Sequence, residues 1–505
     1  MHTGMILEMA ADSLGERTAL GARGEGWTFA ELGVRARRAG SLLARRTVDN
    51  IVLIDENSPA VPVALFGAGI AAKPFVPVNY RLADERLVAI VQRTAPAVVI
   101  AGDGVAERLA GVREIDVISR FDFLASIEDE SVPESDGWAC DPDAVAVLLF
   151  TSGTTGEPKA AVLRHRNLAA YIVASLEFGT AGEDEAAVVS VPPYHVAAVS
   201  AVLSNTYLGR RVVQLERFDP QAWVDVVERS SVTHGMVVPT MLNRILDVVQ
   251  ADGQGLPSLR SLAYGGGPMP RAVVERAMRL LPETDMVNAY GLTETSSTVA
   301  VLGPSDHRLA ATSDDPEVRA RLSSVGRPLP GIEVSIRNEL GGPVPPGHAG
   351  EIWVRGEQVS GEYLGRGGGA DDGWFNTRDA GVLDAAGYLY LRGRLDDVIV
   401  RGGENLRPEE IEAVLLDHPT VGAAAVVGVP DEEWGERVVA AVVLRAGTGA
   451  SEKELRQHVR QVLRSARTPE RVFFYDELPY NETGKLLRRV LRDELAAQPA
   501  VSGQG

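Results

Sequence analysis

The chain has 505 residues, which is too long for one compact core. Of these residues 45% are hydrophobic and 24% are charged, a composition that excludes disorder of the whole chain. Its formal net charge of −19 argues against a nucleic-acid-binding surface, so an anionic ligand must be met by locally placed cations. The single cysteine, Cys140, excludes an intramolecular disulfide and a cysteine-rich zinc site, and it suits a reducing cytoplasm.

The start of the chain carries Glu8, Asp12 and Glu16 instead of the basic start and apolar core of a secretory signal. The most apolar long stretch, residues 59–78, is interrupted by prolines and glycines, which predicts a packed helix running into a strand. We therefore expect a cytoplasmic protein without an integral membrane segment.

The elements predicted in chain order begin with a helix capped by Thr28, followed by apolar, β-favouring runs that alternate with helical patterns. This alternation implies parallel strands joined by crossovers, the pattern of an α/β fold. The predicted strands cover residues 51–54, 75–78, 98–101, 145–150, 188–191, 212–215, 235–238 and 261–264, and a helix is predicted at 270–281.

The pattern of predicted secondary structure changes twice beyond this region. After about Leu302, short alternating strands with Gly/Pro turns predict a smaller, β-rich layer. After Arg394, a helix opened by Pro408 and a capping box from Ser451 to Glu454 predict a small α+β unit.

A loop rich in glycine and hydroxyl residues follows the strand at 145–150. Its backbone N–H groups, hydroxyls and one lysine can form an anion-binding concavity. It is not a Walker loop, because Glu157 and Pro158 separate the last glycine from the lysine. The alternative is a flexible surface turn. The candidate phosphate-binding residues are Thr151, Ser152, Gly153, Thr154, Thr155, Gly156 and Lys159.

A second candidate segment, residues 288–295, mixes an aromatic ring, a hydroxyl and a carboxylate around Gly291. The ring of Tyr290 can stack on a purine, the hydroxyl of Thr293 can bind phosphate, and the carboxylate of Glu294 can hold Mg²⁺. The alternative is a turn with a core tyrosine. Asn288 opens the segment.

Three further places can contribute to a site. Gly265, Gly266 and Gly267 end a strand and permit close approach of a ligand, although a plain tight turn is an alternative. Asp379 can accept ribose hydroxyls and Arg394 can donate to a ribose or phosphate oxygen, or the two form a structural ion pair. Lys485 can neutralise charge on a transferring group, or it is a solvated surface lysine.

The order of these motifs resembles the adenylate-forming superfamily of acyl-CoA synthetases, adenylation domains and luciferases. The resemblance extends over nearly the whole chain. It rests on Thr151–Lys159, Tyr290-Gly-Leu-Thr-Glu294, Thr377-Arg-Asp379, Gly393-Arg394 and Gly484-Lys485.

This resemblance implies an ATP site. Residues 151–159 would be the mobile phosphate loop, and residues 265–267 and 288–291 would line the nucleotide, with Tyr290 on adenine. Thr293 would contact the α-phosphate, Glu294 would coordinate Mg²⁺, and residues 379 and 394 would hold the ribose.

The resemblance also implies the catalytic and mobile parts. Lys485 would bridge the acyl carboxylate and the α-phosphate, and His195 would lie near that carboxylate, although a lone histidine is more often a core residue. Asp396 would be the hinge between an N-terminal adenylation domain, residues 1–395, and a mobile C-terminal lid, residues 396–505. Gly402 and Gly403 would line the tunnel for the pantetheine arm of CoA.

Two residues depart from the family pattern beside the nucleotide site. Arg378 stands where the family usually has glycine, and Ala160 replaces a glycine after the loop lysine. The segment between Tyr363 and Trp374 is also shorter than usual. These changes leave the predicted fold intact. They lie beside the predicted nucleotide site, where they can alter the geometry of nucleotide binding.

Within the family, an amino-acid substrate is disfavoured because residues 196–200 offer no aspartate for an amine. The loop around Gly402 resembles that of CoA ligases more than that of stand-alone acyl-AMP ligases. We therefore expect an enzyme that converts an apolar fatty or aryl acid to its acyl-CoA with ATP, Mg²⁺ and CoA. The alternatives are an acyl-AMP ligase serving a carrier protein and a non-catalytic nucleotide-binding homologue, and homodimerisation is left open.

Overall fold

The computed structural model describes residues 1–135, 137, 141–151, 158–253, 255–365, 371–394, 397–431, 434–445, 447–463, 467–480 and 486–497. The chain divides into two compact units. The first comprises residues 1–334 and 354–375, and the second comprises residues 335–353 and 376–505. The predicted lid boundary at 395/396 stays a prediction.

The strands and helices follow the alternation expected from the apolar pattern. In chain order the strands are β1 (Thr18–Leu20), β2 (Trp27–Thr28), β3 (Asn50–Ile54), β4 (Phe75–Pro77), β5 (Ala97–Ala101), β6 (Ile115–Ser119), β7 (Val145–Thr151), β8 (Lys159–Arg164), β9 (Ala186–Val189), β10 (Arg211–Gln214), β11 (His234–Val237), β12 (Ser261–Gly265), β13 (Asp285–Leu292), β14 (Ser297–Leu302), β15 (Arg327–Pro328), β16 (Glu333–Arg337), β17 (Ala349–Arg355), β18 (Glu362–Tyr363), β19 (Phe375–Leu383), β20 (Leu389–Arg394), β21 (Ile399–Arg401), β22 (Glu404–Leu406), β23 (Val421–Asp431), β24 (Gly435–Leu444) and β25 (Arg471–Phe474). The α-helices are α1 (Gly4–Ser13), α2 (Phe29–Ala44), α3 (Ala60–Ile70), α4 (Asp84–Thr94), α5 (Val105–Arg108), α6 (Arg120–Glu128), α7 (His165–Ser175), α8 (Val196–Leu208), α9 (Pro220–Arg229), α10 (Pro239–Asp252), α11 (Arg271–Leu280), α12 (Pro304–Thr312), α13 (Pro316–Ala320), α14 (Pro408–Leu416), α15 (Glu452–Val462) and α16 (Arg488–Ala496).

The first unit is built on two large sheets. One has the strand order β15-β14-β13-β12-β11-β9-β10-β1-β2, and the other has the order β18-β8-β7-β4-β3-β5-β6. The pairs from β13 through β12, β11, β9 and β10 to β1 are parallel, as are those linking β7, β4, β3, β5 and β6. Parallel strands buried on both faces explain the continuous apolar runs in the sequence.

Two predicted helix starts are confirmed by their capping contacts. Thr28 accepts a hydrogen bond from the backbone N–H of Glu31 at 3.2 Å, and the Glu31 carboxylate accepts one from the Thr28 N–H at 2.8 Å. Ser451 and Glu454 form the same reciprocal pair before α15. Each box satisfies backbone donors that a helix start leaves unpaired.

The second unit contains a four-stranded sheet, β16-β17-β19-β20, and a five-stranded sheet in which β22, β21, β24 and β23 follow one another and β25 pairs with β24. Helices α14, α15 and α16 belong to this unit. The parallel-rich sheets of the first unit and the smaller mixed unit confirm the predicted α/β class. Among the described residues, no helix combines the length and apolarity needed to cross a membrane.

Candidate active site

The predicted phosphate loop joins the two strands of a β-hairpin. Strands β7 and β8 are antiparallel, and their last pair is Thr151 with Lys159. The Thr151 hydroxyl donates to the Lys159 carbonyl at 3.4 Å. Strand β8 occupies the short apolar piece that follows the loop in the sequence. The hairpin therefore fixes both ends of the loop, whereas Ser152, Gly153, Thr154, Thr155 and Gly156 lie outside the described residues.

Glu294 is a buried carboxylate, 9% exposed, in a one-turn 3-10 helix that follows β13. The Tyr363 hydroxyl donates to its Oε1 at 2.5 Å. The ammonium of Lys159 lies 5.7 Å from the centroid of the Tyr363 ring, within cation–π range. Tyr363 therefore links the end of the phosphate loop to the predicted magnesium ligand.

The turn that carries Glu294 is held by polar contacts at its backbone. The Thr295 hydroxyl donates to the Ser297 carbonyl at 2.7 Å, and the Gln358 side-chain amide donates to the Thr295 carbonyl at 3.0 Å. The Ser360 N–H donates to the carbonyl of Glu294 at 2.9 Å. These bonds satisfy buried backbone groups and hold the turn from which the Glu294 side chain projects.

The glycines at 265 and 291 permit close contact between neighbouring chain segments. A Cβ atom on Gly265 would lie 2.2 Å from the Ala289 carbonyl oxygen, and one on Gly291 would lie 1.8 Å from the Ser297 carbonyl oxygen. Neither distance is compatible with a side chain. Gly291 also sits at a register shift in the β13–β14 pair, where a bulge redirects the chain after Tyr290.

The other predicted nucleotide residues of the first unit lie on or beside the same strands. Asn288 is paired with Tyr264 across β12 and β13, and its side chain donates to the Ser324 carbonyl at 3.2 Å. Tyr290 is 8% exposed. Gly266 has φ +79° and Gly267 follows it, so the chain turns directly after β12. Their contacts with a nucleotide stay a prediction.

His195 occupies the residue before α8. Its ring lies 4.6 Å, centroid to centroid, from that of Tyr194. Burial lowers the pKa of His195 to about 4. The imidazole is therefore neutral near pH 7 and can donate one hydrogen bond and accept another, but it does not supply a cation for a substrate carboxylate.

Asp379 and Arg394 face each other in the second unit. They are paired residues of β19 and β20, and the Arg394 Nε lies 3.2 Å from the Asp379 Oδ1. The Asp379 N–H is held by the Thr377 hydroxyl at 3.1 Å. The ion pair that the sequence left open is therefore formed, and its binding of ribose stays a prediction.

Arg378 adopts a left-handed backbone conformation, with φ +61°. Its N–H donates to the Asn376 side-chain oxygen at 2.8 Å. Glycine adopts this conformation without strain, whereas a residue with a Cβ atom costs about 1–2 kcal/mol. The turn between Thr377 and Asp379 therefore forms despite the arginine, at a local cost.

Arg378→Gly is expected to unfold at higher urea concentration than Arg378→Ala. Alanine keeps the left-handed cost of about 1–2 kcal/mol. Glycine removes it at an entropic cost of roughly 0.5–1 kcal/mol. Because both variants lose the arginine side chain, their difference isolates the backbone, and equal unfolding midpoints would contradict the assignment of strain.

Gly402 and Gly403 form the two-residue loop between β21 and β22, with Arg401 paired to Glu404. Both glycines have positive φ, +58° and +83°, as a type I′ hairpin turn requires. A Cβ atom on Gly402 would lie 2.9 Å from the Trp434 ring, whereas the space beside Gly403 is open. The turn therefore has no room for a side chain at Gly402, and its lining of a pantetheine tunnel stays a prediction.

The catalytic lysine and the hinge predicted from the sequence, Lys485 and Asp396, lie outside the described residues. Conversely, the structure adds Tyr363 to the site. In the sequence this residue precedes the segment that is shorter than usual in the family, and no local pattern there predicts a contact with Glu294.

Two family models match successive parts of the chain. The family model described as AMP-binding enzyme matches residues 7–364, and that described as AMP-binding enzyme C-terminal domain matches residues 410–485. The first match alone covers more than half of the chain.

Two relatives match the chain over most of its length. It is 35% identical over 484 residues to a feruloyl-CoA synthase of Amycolatopsis sp., covering 94% of this chain and 95% of that protein. It is 32% identical over 458 residues to the fatty acid–[acyl-carrier-protein] ligase ScoC of Streptomyces coeruleorubidus, covering 88% and 86% respectively.

A solved structure gives the same result. The o-succinylbenzoate CoA synthetase MenE of Bacillus subtilis, in complex with the acyl-adenylate OSB-AMP, matches with a TM-score of 0.83 and 28% identity over 99% of both chains. The same enzyme in complex with ATP and magnesium ion matches with a TM-score of 0.82, 28% identity and coverage of 97% of this chain and 99% of that one. These matches confirm the resemblance drawn from the motifs, and the chain belongs to the AMP-binding enzyme family.

Proposed function

We propose that the protein activates a fatty or aryl carboxylic acid in two steps. A carboxylate oxygen attacks the α-phosphorus of ATP, the bond to the β-phosphate breaks, and acyl-adenylate and pyrophosphate form. The sulfur of CoA then attacks the acyl carbon, AMP leaves, the thiol proton is released, and acyl-CoA forms. The observation that carries this proposal is the Lys159–Tyr363–Glu294 arrangement beside the phosphate loop in a member of the AMP-binding family.

The donor set around Glu294 suits a magnesium ion that is shared with a nucleotide. Mg²⁺ is commonly bound through one or two carboxylates together with substrate phosphates and water. Within the described ranges, no group of three or more His, Cys, Asp or Glu side chains could hold a metal by itself. When bound, Mg²⁺ would offset phosphate charge and stabilise the pyrophosphate leaving group.

The chain's own residues would then bind and orient two anions. The loop between Thr151 and Lys159 would supply donors to the β- and γ-phosphates, and the Thr293 hydroxyl would donate to the α-phosphate. Lys485 would offset the repulsion between the carboxylate and the α-phosphate. No covalent enzyme intermediate is required.

The acid would lie beside His195, which at neutral pH can donate a hydrogen bond to its carboxylate without adding a charge. Its acyl part would lie between Tyr194, residues 265–267 and the small residues after Glu294. An apolar acid suits this region because residues 196–200 hold no aspartate to bind a substrate amine. The proposed substrates are therefore small-molecule fatty or aryl acids.

CoA is the proposed acceptor because the glycine turn at 402–403 matches the tunnel motif, and the feruloyl-CoA synthase is related over most of both chains. The second candidate is an acyl-AMP ligase that passes the acyl group to a carrier protein. The similarity to ScoC, a fatty acid–[acyl-carrier-protein] ligase, favours this candidate.

A panel of fatty and aryl acids with ATP, Mg²⁺ and CoA tests the proposal. We expect AMP and acyl-CoA in equal amounts with at least one acid, measured by chromatography. Pyrophosphate release without thioester, followed by acylation of an added phosphopantetheinylated carrier protein, would favour the second candidate. ATP binding without turnover of any acid in the panel would contradict both.

A further inference from the structure

A partly buried cluster of charged side chains in the second unit is centred on Arg488, the first residue of α16. Its side chain is 13% exposed, and it forms a bidentate pair with Glu412 at 2.5 and 2.9 Å. The guanidinium also donates to the Val426 carbonyl at 2.8 Å. The start of α16 is therefore fixed to α14 and to strand β23 by charge-assisted hydrogen bonds.

Two further carboxylates face the same guanidinium. Its Nη2 lies 3.6 Å from the Oε1 of Glu409, and its Nε lies 3.4 Å from the Oδ2 of Asp397. With Glu412, this places three acids around one cation, so full ionisation leaves excess negative charge. Burial, with a smaller effect of Glu412 and Asp397, raises the pKa of Glu409 to about 7, although Arg488 acts in the opposite direction.

Two residues of the cluster's surroundings, Gly393 and Asp397, are next in sequence to residues with predicted roles, Arg394 and Asp396. Glu409 packs over Gly393, where a Cβ atom would lie 2.2 Å from its Oε2, and Gly393 directly precedes Arg394. Asp397 directly follows the predicted hinge residue. The cluster therefore joins the residues on both sides of the hinge to α14 and α16.

The chain before Arg488 is anchored as well. Tyr480 and Leu486 form an antiparallel β-bridge, and the Leu487 N–H donates to the Pro479 carbonyl at 2.7 Å. Lys485 is the residue directly before this bridge and three residues before Arg488. Three peptide bonds therefore join Lys485 to Arg488, and the residues between them are held in place by these contacts.

We propose that Arg488 is a positioning residue for adenylation: with Glu412, Glu409 and Asp397 it sets the place of Lys485 relative to the hinge. This inference rests on the role assigned to Lys485 under the proposed function. The competing explanation is a purely structural ion cluster, which would affect both half-reactions alike. Comparison of the two half-reactions separates these explanations.

Arg488→Lys keeps the positive charge and loses the bidentate geometry. We expect the rate of adenylation, measured as pyrophosphate release, to fall by about 10- to 100-fold, the usual effect of misplacing a reacting group. Thioester formation from supplied acyl-adenylate should be largely unchanged. The control is Arg489→Lys on the next residue, which is 73% exposed and pairs only loosely with Asp493 at 3.9 Å. It should leave both rates unchanged.

Glu409→Gln provides a second variant that does not remove the central cation. Ionisation of Glu409 with rising pH through about 7 adds a second acceptor for Nη2 and weakens its pair with Glu412. In the wild type, the ratio of adenylation to thioester formation should therefore fall as the pH rises through this range. In the variant, which stays neutral at position 409, the ratio should fall less over the same pH range, because only the pH dependence of the CoA thiol remains.

The outcomes distinguish the inference from the function on which it rests. Equal loss of both half-reactions in Arg488→Lys, or the same pH profile in wild type and Glu409→Gln, would overturn the positioning role alone if Lys485→Ala still separates the half-reactions. Failure of Lys485→Ala to separate them would overturn the assignment of the lysine, and the role of Arg488 with it.

Discussion

Lys485→Ala is expected to lower the rate of adenylation by roughly 10²- to 10³-fold, the usual cost of removing one donor aimed at developing charge. The reason is electrostatic, because the acid and the α-phosphate are both anions and the lysine would bridge them in the transition state. Thioester formation from supplied acyl-adenylate should be largely spared, since that step starts after the two anions have been joined. Single-turnover assays of pyrophosphate release and of acyl-CoA formation measure the two steps separately.

Two other lysines serve as controls for Lys485. Lys453 is exposed on α15 in the same unit, and its replacement by alanine should change neither step. Lys159 lies at the end of the phosphate loop, where it would act as a second cation on the leaving phosphates. We expect it to contribute less to adenylation than Lys485. An adenylation loss in Lys159→Ala that exceeds the loss in Lys485→Ala would contradict this division of roles.

Much of the first unit is predictable from sequence because its parallel strands are buried on both faces. Continuous apolar runs predicted the strands that became β3 and β5 to within one residue, as residues 51–54 and 98–101. Local capping chemistry also predicted the start of α2, from Thr28, and the start of α15, from Ser451 and Glu454, because the residues of a helix cap are only a few positions apart.

The contact between Tyr363 and Glu294 could not be predicted in this way. The two residues are 69 positions apart, and Tyr363 lies in the short strand β18, which pairs with β8 after the hairpin loop. The pairing depends on where a whole segment crosses the sheet, and no local periodicity encodes that. The phosphate loop, Glu294 and Arg378 are recognisable as motif positions in the sequence. The left-handed backbone conformation of Arg378 is visible only in the folded structure.

Glu294→Gln is expected to lower the rate of adenylation by about 10²-fold, because a neutral amide is a weaker ligand for Mg²⁺ than a carboxylate. The loss should be partly recovered at high Mg²⁺ concentration. Glutamine has the same shape and can still accept the Tyr363 hydrogen bond, so the fold should be preserved, and an unchanged melting temperature checks this. A loss that does not respond to Mg²⁺ would contradict the metal assignment.

Tyr363→Phe tests whether the orientation of this carboxylate matters as well as its charge. Removing the hydroxyl leaves Glu294 buried without the donor that lies 2.5 Å from its Oε1, while the ring that faces Lys159 remains. Mutation of a residue that hydrogen-bonds a metal ligand typically lowers metal affinity or activity by about 10- to 100-fold. We therefore expect the rate of adenylation to fall by about 10-fold and the required Mg²⁺ concentration to rise. Thioester formation from supplied acyl-adenylate does not use the pyrophosphate-bound ion and should be unchanged. If Tyr363→Phe instead lowered the melting temperature and slowed both steps equally, the contact would be structural, and the link between phosphate loop and metal ligand would not take part in catalysis.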